Sequence, residues 1–322
     1  MFIADLHCDT ILDIVRKDGV HLKKSNAHID VEKMKMGEYV LQNFAMFTDY
    51  GANEANFPFV NKMIDRYFEE LAENKELIMP VFSYKDIEEN MKNGKMSALL
   101  TIEEGAVCEG SVEVLRKLYE RGVRMMTFTW NYKNCLGAPN SLNDKKAIEN
   151  TREGLTEIGF EILSEMEALG IIPDVSHLSD KGFFDVASHS KKPFVASHSN
   201  ARAICSHPRN LTDEMIKIIG NKGGLVGLNY CNSFLSDDYK AGEGIEIEAF
   251  IPHIKHILNV GGDECLALGT DFDGIDNPPK QISNASQQQN FAILLYKNGF
   301  SEEIIEKICY KNVIRLYKEL LK

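Results

Sequence analysis

Short apolar segments alternate with longer amphipathic segments along the whole chain. The short segments are rich in residues that favour extended structure, and they predict eight strands, at 1–6, 40–47, 97–102, 124–129, 171–175, 193–196, 224–229 and 265–269. Between them, segments such as 155–169, 212–219 and 247–258 place apolar residues three and four positions apart, which predicts helices. Repeated strand–helix units of this kind indicate a parallel sheet covered by helices.

Eight such units favour a closed (β/α)8 barrel, the TIM barrel. An open doubly wound sheet is disfavoured because no GxGxxG or GxxxxGK[ST] loop follows any predicted strand. The chain has 322 residues, and a barrel with insertions needs about 250 or more. We therefore predict one catalytic barrel domain spanning residues 1–322, with the polar stretch 131–150 forming a long loop over the barrel mouth.

Composition and charge exclude several classes of partner. The 48 acidic residues outnumber the 36 basic ones, and a net charge of −12 would repel the phosphate backbone of a nucleic acid. No apolar run is long enough to span a membrane, and the amino-terminal residues do not resemble a signal peptide, so we expect a cytoplasmic protein. Seven scattered cysteines without a CxxC pair indicate reduced thiols. A homodimer remains a candidate assembly.

Polar side chains follow the predicted strands at their carboxyl ends. They are His7, Asp9, Glu103, His177, His198, Asp271 and Asp273. Barrels of this type build their active sites at the carboxyl ends of the strands, so residues distant in sequence are expected to converge there.

Two histidine motifs suggest metal ligation. His7 and Asp9 are two residues apart and can share one face of an extended chain, although an isolated HxD pair is more often a turn aspartate beside a half-buried histidine. His177 and His198 are 21 residues apart, about one strand-to-strand step of a barrel, although either one alone could be a core histidine. The remaining histidines are expected to be solvated: His21, His28, His189, His207, His253 and His256.

A carboxylate closes the third predicted strand. Burying Glu103 at that position is costly unless a positive group meets it, and a metal ion would do so. Glu104 competes for the role, but consecutive strand residues face opposite sides, so only one of the two can face the mouth. The alternative is that Glu103 begins a solvated loop.

Three imidazoles and two carboxylates without cysteine form a donor set suited to Zn²⁺, with Mn²⁺ or Co²⁺ as substitutes. Five ligands exceed the three that a single catalytic zinc takes. They can serve two ions if one carboxylate bridges them. We therefore predict two Zn²⁺ per chain.

The sequence resembles the membrane dipeptidase (renal dipeptidase) family of binuclear zinc peptidases over nearly its whole length. The resemblance is carried by HCD at 7–9, IEEG at 102–105, GLTEIG at 154–159, DVSHLS at 174–179, ASHSNARAICSHPRN at 196–210 and GTDFDG at 269–274. It implies that His7 and Asp9 bind one zinc, His177 and His198 bind the other, and Glu103 bridges both.

The resemblance also implies further roles. Asp271 would be the catalytic acid and Arg209 would hold the carboxylate of the substrate. Where the animal enzymes carry a substrate-contacting histidine, this chain has Trp130, which cannot offer an imidazole to a carbonyl oxygen. A substrate-binding tyrosine of the family aligns with either Tyr230 or Cys231.

The expected reaction is hydrolysis of a dipeptide by a hydroxide shared between two zinc ions, with Asp271 passing the proton to the leaving amine. The resemblance implies tolerance for a D residue at the carboxyl-terminal position. Two alternatives stay open: another metal-dependent barrel hydrolase acting on cyclic amides or N-acyl amino acids, and a catalytically inactive metal-binding scaffold.

Overall fold

Eight parallel strands close into a barrel in the computed structural model, which describes residues 1–140 and 149–322. In the order of the chain, the strands of the described residues are β1 Ile3–Asp5, β2 Tyr39–Phe47, β3 Ile78–Val81, β4 Met96–Glu103, β5 Val123–Thr127, β6 Ile172–Asp174, β7 Val195–Ala196, β8 Leu225–Leu228 and β9 Leu266–Leu268. The ring runs β1, β2, β4, β5, β6, β7, β8, β9 and returns to β1, since β2 pairs with β4 and β9 pairs with β1. The predicted (β/α)8 barrel is confirmed.

The remaining strand, β3, lies outside this ring and was not predicted. It pairs with the first half of β4, from Ile78 opposite Met96 to Val81 opposite Leu99. The second half of β4 pairs with β5 instead. Pro80 interrupts the apolar segment and has no N–H for a sheet, which is tolerated in a strand paired on one side.

Helices surround the barrel. Those of the described residues are α1 Thr10–Arg16, α2 Val31–Met36, α3 Phe57–Glu73, α4 Tyr84–Lys92, α5 Val112–Glu120, α6 Glu157–Leu169, α7 Asp180–His189, α8 Asp213–Asn221, α9 Asn232–Leu235, α10 Phe250–Gly261, α11 Gln289–Lys297, α12 Glu302–Glu306 and α13 Asn312–Leu320. Short 3₁₀ segments lie at Gly105–Cys108, Ile247–Ala249 and Ala285–Gln287, and a π-helical turn at Lys307–Lys311 joins α12 to α13. None of the helices in the described ranges is long and apolar enough to cross a membrane.

The sequence sets the limits of these helices through capping. Helix α6 begins where the Thr156 hydroxyl accepts from the Gly159 N–H, and it ends at Gly170, whose φ of 89° is favourable only for glycine. The predicted loop 131–150 is described only in part, because residues 141–148 lie outside the described residues.

The barrel interior is closed at the amino-terminal end of the strands by α13. Each of the eight barrel strands contributes an apolar side chain to one buried cluster, which also contains Leu316 and Tyr317 of α13. The Tyr317 hydroxyl donates to Asn43 Oδ1 of β2 at 2.9 Å inside the barrel. The polar end of the barrel is therefore the opposite one, where the strands end.

One histidine differs from the expectation of solvation. His253 of α10 is fully buried. Its Nδ1 accepts from the Ala201 N–H at 3.1 Å, and its Nε2 lies 3.2 Å from the Leu235 carbonyl oxygen. Both ring nitrogens have partners, so this imidazole can be buried without an unpaired polar atom.

Candidate metal centre and active site

The five predicted metal ligands lie together at the carboxyl ends of the strands. His7 and Asp9 follow β1, Glu103 ends β4, and the remaining two histidines follow β6 and β7. All five side chains are at least nine-tenths buried. The structure therefore brings together residues that are up to 191 positions apart in the chain.

The carboxylate of Glu103 lies at the centre, and its two oxygens face different groups. Oε2 lies 3.0 Å from His7 Nε2, and that nitrogen is 3.4 Å from Asp9 Oδ2. Oε1 lies 3.0 Å from His177 Nε2 and 3.7 Å from His198 Nε2. One carboxylate thus separates two pairs of potential ligands.

The outer ring nitrogens of two histidines are fixed by hydrogen bonds. Ser197 Oγ donates to Asp174 Oδ2 at 2.5 Å, so it accepts from His198 Nδ1 at 2.7 Å. Asn131 Oδ1 accepts from His177 Nδ1 at 3.1 Å. In both histidines Nδ1 therefore carries the proton, and Nε2 has an unprotonated lone pair directed towards Glu103.

These lone pairs show that the donor set fits a cation. His177 Nε2 and His198 Nε2 lie 3.0 Å apart, and two lone pairs at that distance repel unless a positive charge lies beside them. Within the described residues, His7 Nε2 and Asp9 Oδ1 are buried without a hydrogen-bond partner. Such unpaired buried atoms are costly unless a ligand satisfies them. Imidazole nitrogens and carboxylate oxygens are donors suited to divalent metals.

Charge coupling across the cluster is strong. Burial opposes the protonation of His7, but the Glu103 and Asp9 carboxylates outweigh it and hold its pKa well above the ordinary value. Burial would raise the pKa of Glu103, but His7 and His177 hold that pKa well below its usual range. Burial and the charge of Arg209 lower the pKa of His177 to about 4. The centre therefore keeps Glu103 ionised and His177 neutral.

Asp271 follows β9 and lies beside this cluster. A donor atom of each of His7, Asp9 and Asp271 lies within 4.8 Å of the others. Asn229 Nδ2 donates to Asp271 Oδ2 at 3.0 Å, which orients the carboxylate. Burial at the barrel mouth raises the pKa of Asp271 to about 6. A carboxyl group with a pKa in this range can both accept and donate a proton near neutral pH.

A glycine leaves room for two of these carboxylates. A Cβ atom on Gly274 would lie 2.2 Å from Asp9 Oδ2 and 2.3 Å from Asp271 Oδ1. Any larger residue at this position would displace both groups. The GTDFDG segment therefore needs its last glycine for a steric reason.

Asp273 has a different role from Asp271. Its Oδ2 accepts from the Thr10 hydroxyl at 2.6 Å and from the Ile29 N–H at 3.2 Å, while its Oδ1 accepts from the His28 N–H at 2.5 Å. These bonds connect the loop after β9 to the start of α1 and to the loop before α2. Asp273 is thus occupied in joining backbone segments.

Arg209 is buried beside the centre without an acidic partner. Its side chain donates weakly to Ser199 Oγ at 3.4 Å and to the His198 carbonyl at 3.3 Å, and its guanidinium lies 5.3 Å from the Phe234 ring centre. No ion pair within the described residues joins it to a carboxylate, and its Nε is buried without a hydrogen-bond partner there. A buried cation of this kind is available to an anionic group of a ligand.

A cavity of about 300 Å³ opens above the predicted metal ligands. The predicted site residues that line it are Asp9, Glu103, Trp130, His177, Arg209 and Asp271. His7 and His198 do not line it and are almost fully buried, at 2% and 1% exposure. Cys231 also lines the cavity.

Tyr230 is not brought into this cavity. It is fully buried, its hydroxyl accepts from Gln288 Nε2 at 2.6 Å, and its ring packs against Phe250 and Phe272. Of the two residues that the sequence left open, Cys231 is the one that faces the site.

Several supporting residues were not identified from the sequence. They are Asn131, Asp174, Ser197 and Asn229, which hold other side chains of the site, and Glu104, which holds the loop after β5. Asp174, Ser197 and Asn229 lie at the carboxyl ends of predicted strands or directly after them, and this position is the signal that could have identified them.

One protein family matches nearly the whole chain. The family profile described as membrane dipeptidase, peptidase family M19, matches residues 1–321. An uncharacterized protein from the pqqA 5′ region of Klebsiella pneumoniae is 32% identical over 265 residues, which are 80% of this chain and 97% of that protein.

Two solved structures are similar over the full length. Dipeptidase AC, a metallo peptidase of family M19, is 25% identical with a TM-score of 0.91, covering 100% of this chain and 99% of that one. A metallo peptidase from Rhodobacter sphaeroides, liganded with a phosphinate mimic of the dipeptide L-Ala-D-Ala, is 24% identical with a TM-score of 0.90 and 99% coverage of both chains. The chain therefore belongs to the membrane dipeptidase family, peptidase family M19, and is a metal-dependent dipeptidase.

Proposed function

We propose that this dipeptidase works with two zinc ions. His7 and Asp9 would hold one ion, His177 and His198 the other, and Glu103 both. The observation that carries the proposal is the division of the two Glu103 oxygens between two pairs of ligands. When bound, the ions would supply Lewis acidity to the peptide carbonyl and lower the pKa of the attacking water.

The residues of the chain would position the substrate and move the proton. Arg209 binds the terminal carboxylate of the dipeptide, because its guanidinium is buried and its Nε has no hydrogen-bond partner within the described residues. This contact places the scissile bond over the ligand cluster. Asp271 accepts a proton from the attacking water and donates it to the leaving amine, and Asn229 holds the carboxylate in place through Oδ2.

Substrates with a D residue at the carboxyl-terminal position are part of the proposal. L-Ala-D-Ala, whose phosphinate mimic is bound by the Rhodobacter protein, is the first substrate to test. L-Ala-L-Ala is the matched comparison, because it differs only in the configuration of one carbon.

The test is a substrate panel with metal-free protein that is reloaded with zinc. We expect release of free amino acids from both alanyl-alanines only after zinc is added, and no turnover of N-acetyl-alanine or dihydrouracil. Turnover of either of the last two in preference to dipeptides would favour another amidohydrolase. Absence of any turnover in the fully loaded protein would favour a binding scaffold.

A further inference from the structure

Two aromatic side chains form one wall of the cavity above the metal ligands. Phe47 is the last residue of β2, and Trp130 lies in the loop after β5. Both line the cavity, and their ring centres are 4.8 Å apart at an angle of 66°. Both are partly exposed. We call this pair the aromatic wall.

The aromatic wall is held by a buried carboxyl group. Glu104 is fully buried, and its Oε2 accepts from the Trp130 N–H at 3.0 Å. Its Oε1 accepts from the Ala106 N–H at 3.0 Å and from the Asn134 amide. Phe47 is fixed by the sheet, where it is paired with Glu103 of β4. The two rings therefore have defined positions relative to the metal ligands.

Phe47 of the aromatic wall and Arg209 lie on opposite sides of the mouth, while Trp130 follows β5, two places from β7. In the ring of eight strands, β2 is four places from β7 in either direction. Phe47 ends β2, and Arg209 belongs to the segment between β7 and α8. The predicted metal ligands lie between them. A substrate that contacts both sides must therefore pass over these metal-binding residues.

From this arrangement we infer that the aromatic wall binds the side chain of the substrate's amino-terminal residue, and that it favours large apolar side chains there. The inference rests on the proposed function. With the terminal carboxylate at Arg209 and the peptide bond over the metal ligands, the amino-terminal residue extends towards Phe47 and Trp130. Aromatic rings offer this residue apolar area and edge-to-face contacts.

The phenyl ring of Phe47 can make no hydrogen bond to the substrate, whereas the only polar atom of the Trp130 ring is its indole nitrogen. Phe47 has no polar atom, so selectivity at this side comes from buried apolar area. Small differences in such area commonly change kcat/KM by about tenfold or more. The preference should therefore follow side-chain size at the amino-terminal position.

The experiment compares the reversed dipeptides Phe-Ala and Ala-Phe with Ala-Ala on zinc-loaded protein. We expect the wild type to prefer Phe-Ala to Ala-Ala, and we expect Trp130→Ala and Phe47→Ala each to lower the ratio of their kcat/KM values about tenfold. The ratio of Ala-Phe to Ala-Ala should stay within about threefold. Tyr50→Ala is the matched control, because Tyr50 is an exposed aromatic residue near β2 that does not line the cavity.

Three results would overturn the inference while leaving the dipeptidase intact. They are an unchanged Phe-Ala to Ala-Ala ratio in both wall variants, an equal fall for all three substrates, and a fall confined to Ala-Phe. If Trp130→Ala does not fold, as judged by thermal unfolding, Phe47→Ala gives the same answer. A wild type that cleaves none of the three dipeptides would instead refute the proposed function.

Discussion

Ser197 Oγ lies 2.7 Å from His198 Nδ1 and connects this imidazole to the buried carboxylate of Asp174. The serine hydroxyl has one proton, which it donates to Asp174, so it can only accept from the imidazole. The hydroxyl thus fixes the tautomer in which Nδ1 is protonated, which leaves the lone pair of Nε2 free towards Glu103. Ser197 is not itself a predicted ligand, but it therefore controls whether the predicted ligand His198 has a free Nε2 lone pair for a metal ion.

Removal of this hydroxyl should weaken metal binding. We expect Ser197→Ala to lower the affinity for zinc by about ten- to a hundredfold, since partners of ligating histidines commonly contribute this much. The measurement is competition with a chromophoric chelator. Ser176→Ala is the control, because Ser176 Oγ contacts Ser197 Oγ and the His198 N–H but not the imidazole. Equal affinities of wild type and Ser197→Ala would contradict the assignment.

The central position of Glu103 predicts the metal content. Zinc-saturated wild type should contain about two ions per chain after gel filtration, because five ligands with one bridge make two sites. Glu103→Gln should contain fewer, since an amide is a poorer ligand and cannot bridge as a carboxylate does. Elemental analysis measures both. Glu113→Gln, an exposed change on α5, should retain both ions; a full complement in Glu103→Gln would exclude the bridge.

Substitutions of the two aspartates of GTDFDG should have different effects, one on kcat and the other on the melting temperature. Asp271→Asn should reduce kcat by about a hundred- to ten-thousandfold with the metals retained, as expected for loss of a general acid. Asp273→Asn should lower the melting temperature more than kcat, because Asp273 accepts from Thr10 and from two backbone N–H groups. If the two variants showed the reverse effects, Asp273 would be the general acid and Asp271 the structural residue.

The Nε of Arg209 has no hydrogen-bond partner among the described residues, and activity should therefore depend on the carboxylate of the substrate. Arg209→Ala should lower kcat/KM for Ala-Ala far more than for its carboxyl-terminal amide, since a charge-assisted contact is available only to the acid. Arg202→Ala serves as the comparison. Arg202 donates to both oxygens of Asp180, so its loss should affect the two substrates equally. Equal losses with Arg209→Ala would make Arg209 a structural residue as well.

Glu104 predicts a pH dependence of stability. Burial raises its pKa to about 7 from an ordinary value of 4.5, so the folded chain holds this proton when the unfolded chain has lost it. The unfolded state then binds fewer protons, and stability falls as the pH rises from about 4.5 to 7, then levels.

Glu104→Gln should remove this dependence although it loses a hydrogen-bond acceptor. In urea unfolding of metal-free protein, the wild type should lose about 3 kcal/mol relative to the variant between pH 4.5 and 8. If the free energy of unfolding changes with pH equally in the wild type and the variant, Glu104 does not titrate in this range.

The elements of the barrel could be predicted because its strands are short apolar segments between amphipathic helices. Strand β3 was missed because Pro80 interrupts its segment and because the strand pairs along only half of β4. The ligand positions at strand ends follow from the fold. The choice between Tyr230 and Cys231 does not, because β8 ends at Leu228 and the alternation of faces cannot be continued through the following turn.

The contacts between neighbouring strands that support the site could not be predicted from the sequence either. Ser197 and Asp174 are 23 residues apart, and their contact depends on the register between β6 and β7. A shift of one residue in either strand would turn the side chain of that strand to the other face and break the contact. Glu104 could be separated from Glu103 by alternation, but its bond to the Trp130 N–H depends on the path of a loop.

The pairing of β1 with β9 has a consequence for biosynthesis. Ligands from the first ten residues and the proposed acid at position 271 become neighbours only when these two strands meet, and Leu316 and Tyr317 of α13 complete the core beneath them. A nascent chain on the ribosome exposes the early ligands long before the last strand is synthesised. The mouth of the barrel is therefore complete only after the chain has been synthesised through α13, and a metal ion captured earlier would be held without the neighbours that the closed barrel supplies.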